Sequence, residues 1–186
     1  MSTRHYASSS RSWATPHELI DHIVTTYHDH TRMALPELGE VLERVTEDRV
    51  LAAGPRERLI SELTALADQL ETHLEEQEGW LFPIIRHMDE AADESEWACE
   101  LAESLEWLMD RAAHENGQTL TQLNRVQRCL RGAAIGDQQL ATDLIEQVQL
   151  VGKNLREHTQ LETDVLFPWV KELLTAEGLV TSGLYW

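Results

Sequence analysis

The chain has 186 residues, with 15 Lys and Arg against 33 Asp and Glu, a formal charge of -18 and a pI near 4.7. This length fits one domain with enough chain to bury a core, and the acidic balance repels phosphate backbones and anionic lipid, which argues against nucleic-acid binding and membrane attachment. Hydrophobic residues make up 42%, too many for a disordered chain, yet no stretch nears the roughly 18 apolar residues that span a bilayer.

Residues 1–15 are Ser-rich, carry Arg4 and Arg11 and hold no acid before Glu18. That composition predicts a disordered tail, and it lacks the apolar run of a secretory signal. From Pro16 onward four segments of helix formers follow, at about 16–46, 55–87, 91–131 and 137–176, with 177–186 as a C-terminal extension. Thr15 before Pro16 makes an N-cap and first-turn pair, and Asp137 can cap the last helix. Gly54 and Pro55 punctuate the first junction, Pro83 lies near the end of the second segment, and GAAIGD at 132–137 breaks the third from the fourth. No segment shows the period-two alternation of a strand, so 16–176 is predicted to be all-α, an antiparallel up-down-up-down four-helix bundle. The acid run Asp89 to Glu96 reads as a solvated face. Cys99 and Cys129 form no close-spaced metal or redox motif and read as small buried residues, with a reducing cytoplasm as the expected compartment.

An internal repeat is the strongest signal. Residues 73–83 read HLEEQEGWLFP and residues 158–168 read HTQLETDVLFP. His28 precedes His73 by 45 residues and His114 precedes His158 by 44, so each of two helical hairpins carries one His per helix at matching heights.

Helical phase sharpens this. At 100° per residue, with Val151 at zero, the fourth helix carries Leu144, Val148, Leu155, Val165 and Trp169 on its apolar stripe, with His158 near about -20° and Glu162 near about +20°. With Leu66 at zero, the second helix carries Leu59, Leu63, Leu70, Trp80 and Ile84, with His73 near about -20° and Gln77 near about +20°. Polar pairs at the centre of two core faces need partners, because burying an unpaired carboxylate or imidazole costs several kcal/mol. A metal ion is the simplest shared partner, and residues at i and i+4 can both reach it. In the first helix, with Ile20 at zero, His28 falls near about +80° and His30 near about -80°, and the matching spacing selects His28. His22 should face water, and Tyr27 is better read as packing than as a hydrogen-bonding partner of a ligand. Trp97, Leu101, Leu105, Leu108 and Ala112 make the stripe of the third helix, on which Glu115 is central and His114 lies about 120° away. Either a one-residue π-bulge precedes His114, or Glu115 is the inward group. Phe82 and Phe167 are expected to wall the site.

These residues resemble the hemerythrin-like cation-binding family, and within it the cytoplasmic di-iron proteins that repair iron-sulfur centres. The likeness covers about residues 17–170 and rests on LIDHIVTTYHDHTRMALPEL at 19–38, HLEEQEGWLFPII at 73–85, the His114 region and HTQLETDVLFP at 158–168. It implies two non-haem irons, open to an oxo or hydroxo bridge, inside a four-helix bundle. Carried over by position, His28, His73, His114 and His158 match terminal ligands and Glu162 matches one bridging carboxylate. Gln77 stands where the other bridging glutamate would be, a neutral and weaker ligand. Glu76 and Glu78 are out of phase to replace it, unless Pro83 bends the helix locally; Glu115 is another candidate. No counterpart of the Cys-containing N-terminal domain of many such repair proteins is expected.

The resemblance implies three functions: iron delivery to damaged iron-sulfur proteins under nitric oxide or oxidative stress, reversible capture or sensing of O₂ or NO, and reduction of peroxide or NO. No particular catalytic residue is marked. A metal-free bundle that binds a protein partner is the alternative to all three.

Overall fold

The computed structural model describes residues 13–47, 52–90, 95–133 and 135–176, without the side chains of 89, 90, 95–101 and 176. The expected tail up to residue 12, the 177–186 extension, most of the Asp89 to Glu96 run and the side chains of Trp97, Cys99 and Leu101 lie outside this description. The helices are α1 (Pro16–Ile23), α2 (Asp29–Glu47), α3 (Ala53–Glu76), α4 (Phe82–Glu90), α5 (Ser95–Gly132), α6 (Gln138–Leu161) and α7 (Phe167–Ala176). Three five-residue π-turns, Val24–His28, Gln77–Leu81 and Glu162–Leu166, join α1 to α2, α3 to α4 and α6 to α7. The result is four rods, as the sequence predicts, with no strand among the described residues.

Local chemistry sets the ends. The Thr15 side chain accepts from the Glu18 N–H at 3.2 Å, with Pro16 in the first turn. Asp137 Oδ1 accepts from the N–H groups of Gln139 and Leu140 at 2.9 and 3.0 Å. Each rod packs on the next and the last returns to the first: α2 lies against α3 and α6, and α5 against α3 and α6. At the other end α1 meets α4, so neighbouring rods run antiparallel.

The π-turns decide which residues face inward. A π-turn holds one extra residue, so the positions beyond it are set back by up to about 100° relative to a regular helix. Regular phase would centre Trp80, Ile84, Val165 and Trp169 on the buried face; the structure instead fully buries Leu81, Phe82, Ile85, Leu166, Phe167 and Val170, exposes Trp80 and leaves Ile84, Val165 and Trp169 half-buried against the same cluster. Trp80 is 67% exposed and Leu81 only 2%. The same setback moves His28 from about +80° to about -20° relative to Ile20 and turns His30 outward; His28 is fully buried and His30 exposed.

Local chemistry accommodates these turns. Pro83 and Pro168 each follow a π-turn and have no N–H to return to the carbonyl four residues earlier, so widening sacrifices no further bond there. In the first rod the Thr25 hydroxyl donates to the Asp21 carbonyl at 2.7 Å, and in the last the Thr163 hydroxyl donates to the Thr159 carbonyl at 2.8 Å. Side-chain competition of this kind eases widening without requiring it, since the same bond at Thr119 and Thr121 leaves α5 regular. The Tyr27 carbonyl accepts from Thr31 Oγ1 at 3.0 Å and from Asn154 Nδ2 of α6 at 3.2 Å.

No π-bulge precedes His114. α5 is α-helical throughout, and Ala102, Leu105, Met109, Ala112, Asn116, Thr119, Leu123 and Val126, alternating three and four apart, form its buried seam, with Gln122 buried beside it. This seam passes between Ala112 and Thr119 through Asn116, leaving His114 exposed and Glu115 half-buried.

The apolar interior forms two clusters. One runs from Leu38, Val45, Leu59, Leu63, Leu66 and Leu70 to Leu123, Leu144 and Val148. The other gathers Leu19, Ile20, Ile23, Leu81, Phe82, Ile85, Leu105, Met109, Leu166, Val170 and Leu174. Between them, along the rods, sit the buried polar residues His28, Thr31, His73, Gln77, Asn116, Thr119, His158 and Glu162.

The register set by the second π-turn has a direct stability test. Leu81→Ala should cost about 2–5 kcal/mol as a core truncation, and Trp80→Ala no more than about 0.5 kcal/mol as a surface change. Denaturant unfolding of both variants measures the difference; equal losses would mean that the wide turn is absent.

Candidate metal centre

Three rods each bring one imidazole to the polar layer. His28 closes the first π-turn, while His73 and His158 each lie four residues before the residue that opens theirs, Gln77 and Glu162. Side-chain ligand atoms of His28, His73, His158 and Glu162 all lie within 4.8 Å of one another, and all four residues are buried. His28 Nε2 lies 3.1 Å from His158 Nε2, and His73 Nε2 lies 3.4 Å from the same atom. The His158 Nε2–H donates to Glu162 Oε1 at 2.8 Å.

The surroundings hold these rings in place. The His28 Nδ1–H donates to Glu78 Oε1 at 2.6 Å, which fixes the tautomer and leaves the Nε2 lone pair of the neutral ring facing the cluster. Glu78 is itself paired with Arg32. The Phe82 ring stacks on His28 with centroids 5.6 Å apart, and Tyr27 stacks on His158 at 6.0 Å. Asn116 Nδ2 donates to Glu162 Oε2 at 2.6 Å. Gln77 is buried, yet neither its Oε1 nor its Nε2 has a hydrogen-bond partner.

The electrostatics favour neutral rings at His28 and His73 beside an ionised Glu162 carboxylate. Burial, then the charge of His158, pulls His28 down to about 4, with the Glu78 hydrogen bond in partial opposition. Burial pulls His73 down to about 3. Burial pushes Glu162 upward, but the charge and hydrogen bond of His158, with help from His73 and Asn116, outweigh it and hold the carboxyl at about 2.

The donor chemistry fits a divalent first-row cation. Unprotonated imidazole nitrogens and an ionised carboxylate are its preferred ligands, and a cation replacing the shared proton would resolve the face-to-face crowding of three Nε2 atoms. His28, His73, His158 and Glu162 would hold it, with Gln77 Oε1 as a neutral donor in reserve.

The structure brings His28, His73, His158, Glu162 and Gln77 to this layer, but not the two candidates on α5. His114 is exposed and its Nε2 lies 2.9 Å from the Gln118 amide. Glu115 pairs with Arg111 at 2.7 Å. Neither lies on the inward seam of an unbroken helix. Sequence reasoning missed Asn116, which the three-four alternation of α5 marks, and it missed Glu78 as the partner of His28, a contact between rods with no local signature.

His158→Ala should abolish iron retention by the reconstituted chain, whereas His114→Ala should leave it unchanged; metal analysis after desalting distinguishes them. Because His28 and His73 bind protons less readily folded than unfolded, the metal-free chain should lose stability as pH falls from about 6.5 toward 3. Glu162, lowered from 4.5 to about 2, adds a loss in the same direction over that lower window. Melting temperature against pH measures this, and a flat profile across the window would contradict it.

The sequence matches the Hemerythrin HHE cation binding domain over residues 19–170. Among curated proteins it is 42% identical over 71 residues to the iron-sulfur cluster repair protein YtfE of Salmonella paratyphi B, and equally to those of Salmonella newport and Salmonella heidelberg. Each match covers 37% of this chain and 31% of the relative, so the chain spans about a third of the length of the curated relatives it matches. The family match takes in all three rods that carry the imidazole cluster, and the chain belongs to the hemerythrin HHE cation-binding family.

Proposed function

We propose that the chain is a non-haem iron protein of the nitric oxide and oxidative-stress response, acting in the cytoplasm, and that it supplies iron to damaged iron-sulfur proteins. Among the described residues no helix is long and apolar enough to cross a membrane. The observation that carries the reading is the donor set: three imidazoles and a single carboxylate, enclosed between two apolar clusters. The matched relatives are named for iron-sulfur cluster repair, which agrees with it.

The residues favour holding iron without locking it. Ferrous iron stands low in the affinity order of divalent first-row metals, and one carboxylate neutralises less of its charge than two would. Glu78 keeps the His28 ring aimed inward, while Phe82 and Tyr27 cover the imidazoles and limit water. Bound iron would supply a redox-active Lewis acid. In the delivery reading the iron is cargo, and the side chains hold it until an acceptor with thiolate or sulfide ligands draws it away.

One observation favours a second reading, reversible capture of O₂ or NO. A cavity of about 280 Å³ between the second and third rods is lined by Gln77, Trp80, Trp107, Ala112 and Arg111. It therefore reaches the layer at a side chain whose amide has no partner, giving a small molecule a way in.

The test is anaerobic incubation of the iron-loaded chain with an iron-sulfur enzyme inactivated by NO. Recovery should follow loss of iron from the chain and exceed that with equimolar free ferrous iron. Full retention of iron without recovery would reject delivery, and a reversible spectral change with O₂ or NO would then support capture.

A further inference from the structure

We infer that this centre holds one cation rather than the two that the resemblance implies, because neutral amides occupy the positions that a second metal needs. The inference rests on the proposed iron function and concerns the number of ions.

A carboxylate that bridges two metals through both of its oxygens offers one to each. Glu162 has only one to offer: Oε1 faces His158 at 2.8 Å, while Oε2 accepts the Asn116 Nδ2–H at 2.6 Å. The N–H of Asn116 thus stands where a second cation would bind. Asn116 lies on α5, the rod that contributes no imidazole to the layer, and it is fully buried on the inward seam. On the facing rod, Gln77 takes the position that matches Glu162 in the repeat and brings an amide without charge.

Charge points the same way. One divalent ion beside one carboxylate leaves one uncompensated positive charge in the layer. Two such ions would leave three, and still two with a hydroxide between them, at the short separation that dinuclear sites require and between apolar clusters that offer no compensation. Nearby carboxylates are committed elsewhere. Glu78 holds His28 and Arg32, and Glu76 and Glu115 are both paired with Arg111.

Gln77 also gains an explanation. Both its polar side-chain atoms are buried without partners, a state that native interiors seldom tolerate. Its Oε1 serves as an additional neutral ligand to the single ion, and its Nε2–H can donate to a molecule entering from the adjoining cavity.

Anaerobic titration of the metal-free full chain with ferrous iron, followed by metal analysis and by EPR after oxidation, tests this. One iron per chain with the signal of an isolated high-spin ferric ion is the expected result. Two irons, with a coupled pair and no such signal, would overturn the inference and leave the iron reading standing; no bound iron would overturn both. The double variant Gln77→Glu/Asn116→His should raise the count toward two. A variant that folds, by circular dichroism, yet remains at one would overturn the assignment of the limit to these two amides.

Discussion

Three imidazoles and a carboxylate buried in one layer form the constraint around which the molecule is arranged. Removing such groups from water costs several kcal/mol each unless partners replace the lost hydration. Here the partners are largely the groups themselves, with Glu78 behind His28 and Asn116 behind Glu162. Two apolar clusters, one on each side along the rods, supply the burial energy that offsets this, each fully buried leucine contributing about 1.5–3 kcal/mol. A bundle selected for stability alone would fill such a layer with leucine. A charged and hydrogen-bonding layer at the middle of the core therefore points to an occupant, and the unprotonated state of His28 and His73 points to a cation.

The π-turns serve this layer and the core next to it. In the two rods with the repeated motif, the buried polar i, i+4 pair ends a regular helix and the wide turn begins at its second member. Regular helix would have aimed the Phe-Pro segments differently; the extra residue turns Leu81, Phe82, Leu166 and Phe167 inward, so that the second apolar cluster closes directly beyond the polar layer. In the first rod the wide turn ends on the imidazole-bearing residue, and there it carries His28 itself from the flank to the interior.

Much of this is legible in the sequence. The four rods, both N-caps and the inward positions of His73, Gln77, His158 and Glu162 follow from regular spacing and end chemistry, which are local properties. His28 is selected by its distance to His73, although its phase on a regular helix argues against it. The burial order from each wide turn onward is misjudged at Trp80, which is exposed, and shifted at Ile84, Val165 and Trp169, which are half-buried beside fully buried neighbours, because phase arithmetic assumes 3.6 residues per turn and the turns break that count. Pro83 and Pro168 mark where a break is tolerated without stating its size. On α5 the presence of His114 draws attention from Asn116, although an unbroken helix with alternating three- and four-residue steps runs through the asparagine. Glu78 is legible only in three dimensions, since its partner lies fifty residues away on another rod.

The family match accounts for the bundle, while Gln77 and Asn116 are this chain's own residues at the buried layer. The account stands or falls on a cation enclosed by side chains from three rods. X-ray diffraction at the iron absorption edge from crystals of the iron-loaded chain tests that most directly. The account requires a single anomalous peak enclosed by His28, His73, His158 and Glu162; a peak beside His114, or none in the layer despite bound iron, would contradict it.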